Sequence, residues 1–384
     1  MLLALALHEM CGHSSASVIS IDFGSEWIKV ALVKPGVPME IVLNKESQRK
    51  TPAVVTLRND ERLFAGGALA SGIKYPKEMY WYLQLLLGQK YDSPIVQLYK
   101  RWFPYYDIRK DEERGTVLFQ HDSSTVYSVE ELVAMILNNS RSFAEDYASQ
   151  SIRDVVITVP SYFTQAQRRA MLHAASLAGL NVVQLMSTSA AAALNYGLFR
   201  QSNFNSSTHT VMFYDMGATG TVATIVEYKM VQDKSSVLPV PQLVVKGTGY
   251  DRTLGGFEMA VRLRDHLAEV FTSQHKRVSS VYKSPRAMTK LLQEAKRLKL
   301  ILSVNTDFIS QVEGVQDEVD FKATIARAKF EELCEDLFDR VTFPVEQALK
   351  SADMTMGEID AVILVGGGTR VPKVQQKLLA ASKK

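Results

Sequence analysis

Two segments of the sequence combine an aspartate and a glycine with a following β-branched run. Residues 18–24 read VISIDFG before the run 28–33, and residues 211–217 read VMFYDMG before the run 221–226. The second copy lies 193 residues after the first, without a gap. Each pattern predicts a β-hairpin with a tight turn after Asp-X-Gly. The backbone N–H groups of such a turn can surround a phosphate, and the aspartate can hold Mg²⁺ directly or through water.

A second feature is also duplicated. Residues 154–160 read DVVITVP and residues 360–366 read DAVILVG, 206 positions apart. Each copy predicts a buried strand, a turn and a helix. In the first copy Thr164 and Gln167 form a capping-box pattern, and Gly179 suits the position after the helix. Two repeats in the same order predict two homologous lobes.

Two more helices are predicted between and after these repeats. Residues 190–196 form an alanine-rich run that is expected to stop at Gly197. Ser284 and Pro285 suit the N-cap and first position of a helix over 285–302. Its lysines and arginine alternate with leucines, which is typical of a solvated basic face above a core stripe.

Composition excludes several classes of function. The 384 residues suffice for two domains or one two-lobed domain, and 44 basic against 41 acidic residues give a net charge of only +3. That balance disfavours nucleic-acid binding. Cys11 and Cys334 form neither a disulfide framework nor a metal motif, and the seven histidines are scattered, so a metal site built only from side chains is disfavoured. We expect no membrane span, since no stretch of 18 apolar residues occurs.

The N-terminal segment favours the secretory pathway. Residues 1–17 combine an apolar run with small residues, which resembles a short signal peptide, although a frayed N-terminus has the same composition. Asn138 and Asn205 begin Asn-X-Ser sequons and are predicted glycosylation sites.

The ordered set of motifs resembles a known superfamily. Residues 157–163 (ITVPSYF), 247–256 (GTGYDRTLGG), 330–333 (FEEL) and 365–372 (VGGGTRVP) are similar to segments of the seventy-kilodalton heat-shock chaperones, which share their fold with actin and sugar kinases. The resemblance covers about 18–384. The details of residues 24–27 (GSEW) resemble the large endoplasmic-reticulum branch of that family.

The resemblance implies the fold. We expect an α/β, duplicated actin-like ATPase fold with two lobes, each a mixed β-sheet flanked by helices, and a nucleotide cleft between them. Lobe I is predicted over 18–205, with a smaller subdomain at about 56–128, and lobe II over 206–384, with a smaller subdomain at about 247–326. Family members continue with a further strand, a helix and a peptide-binding domain, so the chain is expected to be either a fragment or an isolated lobe.

The resemblance also implies site residues. Asp22 and Asp215 would be the catalytic aspartates and would hold Mg²⁺ through waters. The residues expected to bind ATP or ADP lie on four turns and one helix: Gly24, Ser25, Gly217, Ala218, Thr219, Gly255, Gly256, Lys299, Ser303, Gly366, Gly367 and Arg370.

Three positions depart from a hydrolytic site. Gln84 stands where the family carries a phosphate-contacting lysine, Thr188 where it carries a water-orienting glutamate, and Val222 where it carries a second aspartate. Loss of one preorganised charged group typically lowers a rate by about 10²–10³. We therefore expect nucleotide binding with weak or absent hydrolysis.

Several functions remain open. The first is an ATP-binding chaperone of the endoplasmic-reticulum lumen that binds unfolded polypeptides and acts in protein folding and stress response. The alternative is a nucleotide-exchange or co-chaperone module for a luminal heat-shock chaperone. A small-molecule kinase is a third class, disfavoured because no acid-bearing substrate loop is found. Finally, the Asp-X-Gly turns could simply close hairpins.

Overall fold

The two predicted hairpins lie in two different β-sheets. The computed structural model describes residues 17–34, 37–198, 200, 208–231 and 240–382. The chain divides into two units. Unit 1 contains the described parts of 1–72, 77–209 and 227–244, and unit 2 contains 73–76, 210–226 and the described part of 245–384. The lobe and subdomain boundaries given above stay predictions.

The strands are short in the first half of the chain and longer in the second. In chain order they are β1 Val18–Phe23, β2 Trp27–Lys34, β3 Val37–Ile41, β4 Thr51–Pro52, β5 Val54–Arg58, β6 Glu61–Phe64, β7 Met79–Trp81, β8 Asp107–Lys110, β9 Val117–Gln120, β10 Val126–Ser128, β11 Asp154–Val159, β12 Asn181–Ser187, β13 His209–Met216, β14 Thr221–Val231, β15 Val240–Asp251, β16 Asp307–Gln316, β17 Val319–Ala326 and β18 Ala361–Val365.

The helices alternate with these strands. They are α1 Ala65–Lys74, α2 Pro94–Trp102, α3 Val129–Ala148, α4 Gln165–Leu177, α5 Thr188–Leu198, α6 Gly256–Gln274, α7 Pro285–Leu302, α8 Arg327–Leu333, α9 Glu335–Asp339, α10 Phe343–Ala352 and α11 Pro372–Ser382. Short 3₁₀ turns cover Pro76–Glu78, Leu83–Leu85, Val281–Lys283, Met356–Glu358 and Gly367–Arg370.

The main sheet of unit 1 is mixed. Its order is β12-β11-β1-β2-β3, with β4 also paired to β2. β1 is antiparallel to β2 across the first predicted turn and parallel to β11, which is parallel to β12. Alternate residues of β1 are buried because one face of a strand packs on the core while the other meets a second layer. The first hairpin prediction is confirmed.

A dense aromatic cluster forms a second core within unit 1. It includes residues of β7 and α2. Tyr80 of β7 stacks on Tyr106, and Tyr99 of α2 packs against Phe103. The Tyr99 hydroxyl donates to the Trp81 carbonyl at 2.9 Å, so its polar end is satisfied inside the core. Burial raises the pKa of Tyr99 well above its ordinary value, so the phenol stays neutral.

The main sheet of unit 2 has the order β15-β14-β13-β18. β13 and β14 form the second predicted hairpin, and β13 is parallel to β18. The second hairpin prediction is also confirmed. Behind this sheet, α6, α7 and the β16–β17 ribbon bury one continuous apolar cluster that includes Tyr214, Phe271, Leu298 and Phe321.

The helix signals had mixed outcomes. The Thr164–Gln167 capping box of α4 is present, Gly179 follows the helix at φ +71°, and the Ser284 hydroxyl caps α7. The expected stop at Gly197 is wrong, since α5 runs through it to Leu198. Gly197 is needed instead because a Cβ there would lie 2.7 Å from the Tyr228 ring.

Candidate functional site

In unit 1 the predicted polar residues gather at one edge of the main sheet. The register pairs Asp22 with Thr158 and Thr158 with Met186, and Thr188 comes two residues later. Because β1, β11 and β12 are parallel, their carboxyl ends meet at the same edge. Ligands of open α/β sheets bind outside the carboxyl ends of the strands.

Both oxygens of the Asp22 carboxylate have protein partners. Its Oδ1 accepts from the Thr158 hydroxyl at 2.9 Å, and its Oδ2 accepts from the Lys29 ammonium at 2.9 Å. Thr158 is nearly buried, whereas Asp22 and Lys29 remain about half exposed. The aspartate is therefore held in place from both sides, and its charge is paired.

The turn after Asp22 is closed by its own backbone and by Gln84. The Gly24 N–H donates to the Trp27 carbonyl at 3.1 Å, and a Cβ on Gly24 would lie 2.7 Å from that oxygen. The Ser25 hydroxyl donates to the Gln84 carbonyl oxygen at 2.6 Å, and the Gln84 amide donates to the Phe23 carbonyl. Gln84 is thus a buried, neutral brace for the turn.

Glu26 faces the protein interior. Tyr82, a buried residue with φ 55°, precedes the short helical turn that carries Gln84. Burial, and then the adjacent Glu26 carboxylate, raise the pKa of Tyr82 well above its ordinary value. The Glu26 charge is therefore directed at a neutral phenol rather than across the turn.

Unit 2 presents a matching edge. Asp215 pairs with Val365 in the parallel β13–β18 ladder, so Gly366 follows directly beside it. Gly366 has φ +81°, and a Cβ there would lie 2.3 Å from the Met216 carbonyl and 2.4 Å from Asp215 Oδ1. Only glycine fits this position, because the neighbouring strand approaches too closely.

The second predicted turn is joined to the start of α6. The Gly217 N–H donates to the Gly220 carbonyl at 3.0 Å, which closes the turn. The N–H groups of Gly256 and Phe257 donate to the carbonyls of Gly217 and Ala218 at 3.0 and 2.7 Å.

Gly255 lies directly against this turn. A Cβ on it would lie 2.4 Å from the Ala218 carbonyl. The turn over 217–219 and the Gly255–Gly256 segment therefore form one backbone assembly, in which Thr219 is buried.

The residues predicted to face adenosine lie on the same unit. Lys299, on α7, donates to the Gly256 carbonyl, and the Ser303 hydroxyl donates to the Lys299 carbonyl at 2.9 Å. Arg370 is exposed, as are Gly366 and Gly367. A Cβ on Gly367 would meet nothing within 4 Å, so open space lies beside it.

An ion pair supports the Gly255–Gly256 segment. The Arg340 guanidinium binds both oxygens of Asp251 at 2.7 and 2.6 Å and also donates to the Thr253 hydroxyl. Asp251 Oδ1 in turn accepts from the N–H groups of Thr253 and Leu254. The Leu254 carbonyl accepts from the Thr221 hydroxyl at 2.6 Å. The pair thus connects Arg340, directly after α9, to the turn that precedes α6.

The three positions predicted to depart from a hydrolytic site all carry uncharged side chains. Val222 is buried in β14, where its apolar side chain packs in the core. Thr188 is the first residue of α5 and is partly buried. Together with Gln84, these positions supply neither a cation nor a carboxylate.

The described residues form no side-chain cage for a magnesium ion. Within the described ranges, no group of three or more His, Cys, Asp or Glu side chains could hold a metal. Both Asp22 oxygens already accept from protein donors, and Asp215 Oδ1 lies against Gly366. Mg²⁺ held through waters by Asp22 and Asp215 stays a prediction.

The remaining predicted features lie apart from the site. Asn138 is exposed in the middle of α3, while the Ser140 hydroxyl of its sequon is buried and donates to the Ile136 carbonyl at 3.0 Å. Residues 1–16, with Cys11, and Asn205 lie outside the described residues. Burial raises the pKa of the Cys334 thiol to about 12, so it stays protonated. No helix in the described part of the chain is long and apolar enough to cross a membrane.

Four contributors were missed by sequence reasoning. Lys29 could have been found, because a hairpin turning at Gly24 places it opposite Asp22. Thr158 and the Asp251–Arg340 pair had no local signal, since their partners lie 136 and 89 residues away.

These two edges define an actin-like nucleotide-binding fold, a mixed α/β architecture in which Asp-X-Gly hairpins follow parallel strands. The model of the family described as Hsp70 protein matches residues 18–384. The chain belongs to the Hsp70 family, and the predicted fold class is confirmed as the nucleotide-binding domain of that family.

Several similar curated proteins share one name. The chain is 57% identical over 365 residues to hypoxia up-regulated protein 1 of Danio rerio and 56% identical over 365 residues to that of Xenopus laevis, with 95% of the chain covered in both. It is 54% identical to that of Homo sapiens over 383 residues, 99% of the chain. It spans 37%, 56% and 38% of the length of these three relatives.

The Asp251–Arg340 pair makes unit 2 sensitive to acid. Burial raises the pKa of Asp251, but hydrogen bonds from Arg340 and the Thr253 N–H outweigh it, so the net pKa lies below the ordinary 3.8. A depressed pKa contributes stability above the unfolded value, which is lost as pH falls through the folded value. We expect Asp251→Asn to lower the free energy of unfolding by about 1–3 kcal/mol at pH 7 and to flatten its decline below pH 4, measured by urea unfolding.

Asp339→Asn is the matched control. Asp339 precedes Arg340 but pairs with Lys377 at an exposed site, so its loss should change stability by less than about 1 kcal/mol. Equal effects of the two substitutions would contradict a special role for Asp251.

Proposed function

We propose that this chain binds ATP and ADP as the nucleotide-binding part of a chaperone of the endoplasmic-reticulum lumen, which assists protein folding and the stress response. The observation that carries the proposal is the duplicated Asp-X-Gly turn at the carboxyl edge of parallel strands, at Asp22 and again at Asp215. Membership in a family of nucleotide-binding chaperones supports it. A role limited to closing hairpins would not require the second glycine-rich turn beside Asp215.

The open space at Gly367 supports a nucleoside contact in unit 2. At Gly255 and Gly366 the missing side chain is explained by the chain's own backbone, which lies within 2.4 Å of the Cβ position. Gly367 has no such neighbour. The fold itself does not require glycine at position 367. A bound ligand would explain why this position has no side chain.

Weak hydrolysis is part of the proposal. A phosphoryl-transfer site needs positive charge on the phosphates and a group that orients the attacking water. Gln84 is neutral and engaged by Ser25 and Phe23, and Thr188 has no charge. The site is therefore better suited to holding a nucleotide than to splitting it.

Three observations support the proposed luminal location. The relatives' name refers to hypoxia, the N-terminal residues resemble a signal peptide, and two sequons are present. Unfolded polypeptides and a luminal heat-shock chaperone are the proposed partners. The family match over 18–384 favours this reading over a small-molecule kinase.

Nucleotide binding is tested by titration with fluorescent ATP and ADP. We expect saturable binding by the unchanged chain. Gly367→Leu should weaken it about tenfold or more, because the added side chain enters open space rather than the protein core. The free energy of unfolding should change little.

Gly67→Leu is the control, since Gly67 on α1 also has nothing within 4 Å of its Cβ position. Absence of any saturable signal from the unchanged chain would contradict the proposed function. Equal affinity of the Gly367 and Gly67 variants would contradict the placement of the nucleoside.

Hydrolysis is tested by restoring the missing groups. In a single-turnover assay we expect the Gln84→Lys, Thr188→Glu variant to hydrolyse ATP faster than the unchanged chain, by about 10²-fold, because it regains a cation and a carboxylate. Gln84→Met with Thr188→Val removes the same hydroxyl and amide without adding charge. Fast turnover by the unchanged chain, or equal rates in all three, would show that these positions do not limit hydrolysis.

A nucleotide-exchange role is the second candidate, and the neutral Gln84 and Thr188 favour it because exchange needs no hydrolysis by this chain. It predicts that the chain accelerates release of labelled ADP from a purified luminal heat-shock chaperone. Stopped-flow fluorescence measures this rate. An unchanged release rate at saturating chain would count against the role.

A further inference from the structure

Lys29 lies next to the first phosphate turn without belonging to any predicted motif. It is the direct antiparallel partner of Asp22, so both side chains project from the same face of the hairpin. Its ammonium lies 2.9 Å from Asp22 Oδ2. The side chains of Lys29 and Asp22 are 51% and 44% exposed, so a ligand at this turn can reach both.

Gln84 cannot provide positive charge to the same turn. Its amide is buried, and both of its ends are used by the turn itself, through Ser25 and the Phe23 carbonyl. A phosphate placed here would meet the Asp22 carboxylate, and like charges repel strongly near a protein surface. A cation must therefore offset Asp22 before a polyphosphate can bind.

Lys29 is suited to that task. A lysine ammonium is a compact charge on a flexible stem and commonly binds phosphate. The ammonium has three N–H donors and is half exposed, so it can stay beside Asp22 and also donate to a phosphate oxygen. Thr158 continues to hold Asp22 by its other oxygen.

We propose that Lys29 is the phosphate-binding cation of the first turn, so that this chain binds a nucleoside polyphosphate with little dependence on a divalent metal. The inference rests on the proposed nucleotide-binding function and names a residue that carries it. It accounts for two features together. Gln84 is a neutral brace of the turn, and each oxygen of the Asp22 carboxylate accepts a hydrogen bond from the protein.

The test measures fluorescent ATP binding with Mg²⁺ and with EDTA. We expect the affinity of the unchanged chain to differ less than about threefold between the two buffers. Lys29→Met should lose about tenfold in EDTA and less in Mg²⁺, since a charge-assisted hydrogen bond is removed and the metal can replace part of it. Lys29→Arg, which keeps the charge, should retain most of the affinity.

Lys50→Met is the matched control. Lys50 lies near the same hairpin, but its ammonium stacks over the Trp27 ring at 4.1 Å from the ring centre. Its loss removes the same net charge and should leave the affinity in EDTA within about twofold of the unchanged chain. Thermal unfolding of each variant shows whether it folds, and Lys29→Gln replaces Lys29→Met if that variant does not.

The outcomes separate the two proposals. No binding by the unchanged chain in either buffer would overturn the proposed function, and this inference with it. Binding that requires Mg²⁺ and is the same in Lys29→Met would overturn the inference alone and leave Lys29 as a cross-strand pair of the hairpin.

Discussion

The parallel pairing of β1 with β11 is the constraint on which the unit 1 site depends. It brings Thr158 to within hydrogen-bonding distance of Asp22, although the two are 136 residues apart. The antiparallel pairing of β1 with β2 then places Lys29 on the other side of the same carboxylate. A shift of either register by one residue would turn these side chains to the opposite face. The two ladders thus fix the position of Asp22 and place the positive charge of Lys29 beside it.

Unit 2 reaches a similar arrangement by different contacts. Its aspartate lies against Gly366, and its turn is attached by backbone hydrogen bonds to the first residues of α6. The Asp251–Arg340 pair holds the segment before that helix, and its several hydrogen bonds from one guanidinium fix the carboxylate's orientation. Most of the glycines here serve backbone packing. Gly367 differs, and it is the position where a ligand explains the missing side chain best.

Three uncharged side chains support the proposed preference for binding over hydrolysis. In the proposed site, the positions compared with a hydrolytic site hold Gln84, Thr188 and Val222, and two of these three are buried in contacts that serve the fold. Gln84 braces a turn and Val222 fills a core. A charged residue at position 84 or 222 would therefore have to displace established contacts. Preorganised charge is what accelerates phosphoryl transfer, and at the first turn Lys29 places a positive charge beside Asp22.

The sequence by itself determined the duplication, both hairpins, the α4 and α7 caps and the family, because these rest on local periodicity, turn chemistry and short motifs. It also contained the cue for Lys29, since a turn at Gly24 dictates its partner strand position. The prediction from the sequence that a helix ends at Gly197 was wrong. The reason for this glycine is the Tyr228 ring, which is 31 residues away in the chain. Only the tertiary structure showed that Thr158 holds Asp22, that Arg340 holds Asp251, and that Glu26 points towards Tyr82. Each of these is a contact between side chains far apart in the chain, whose meeting is decided by strand register and helix packing and not by local sequence.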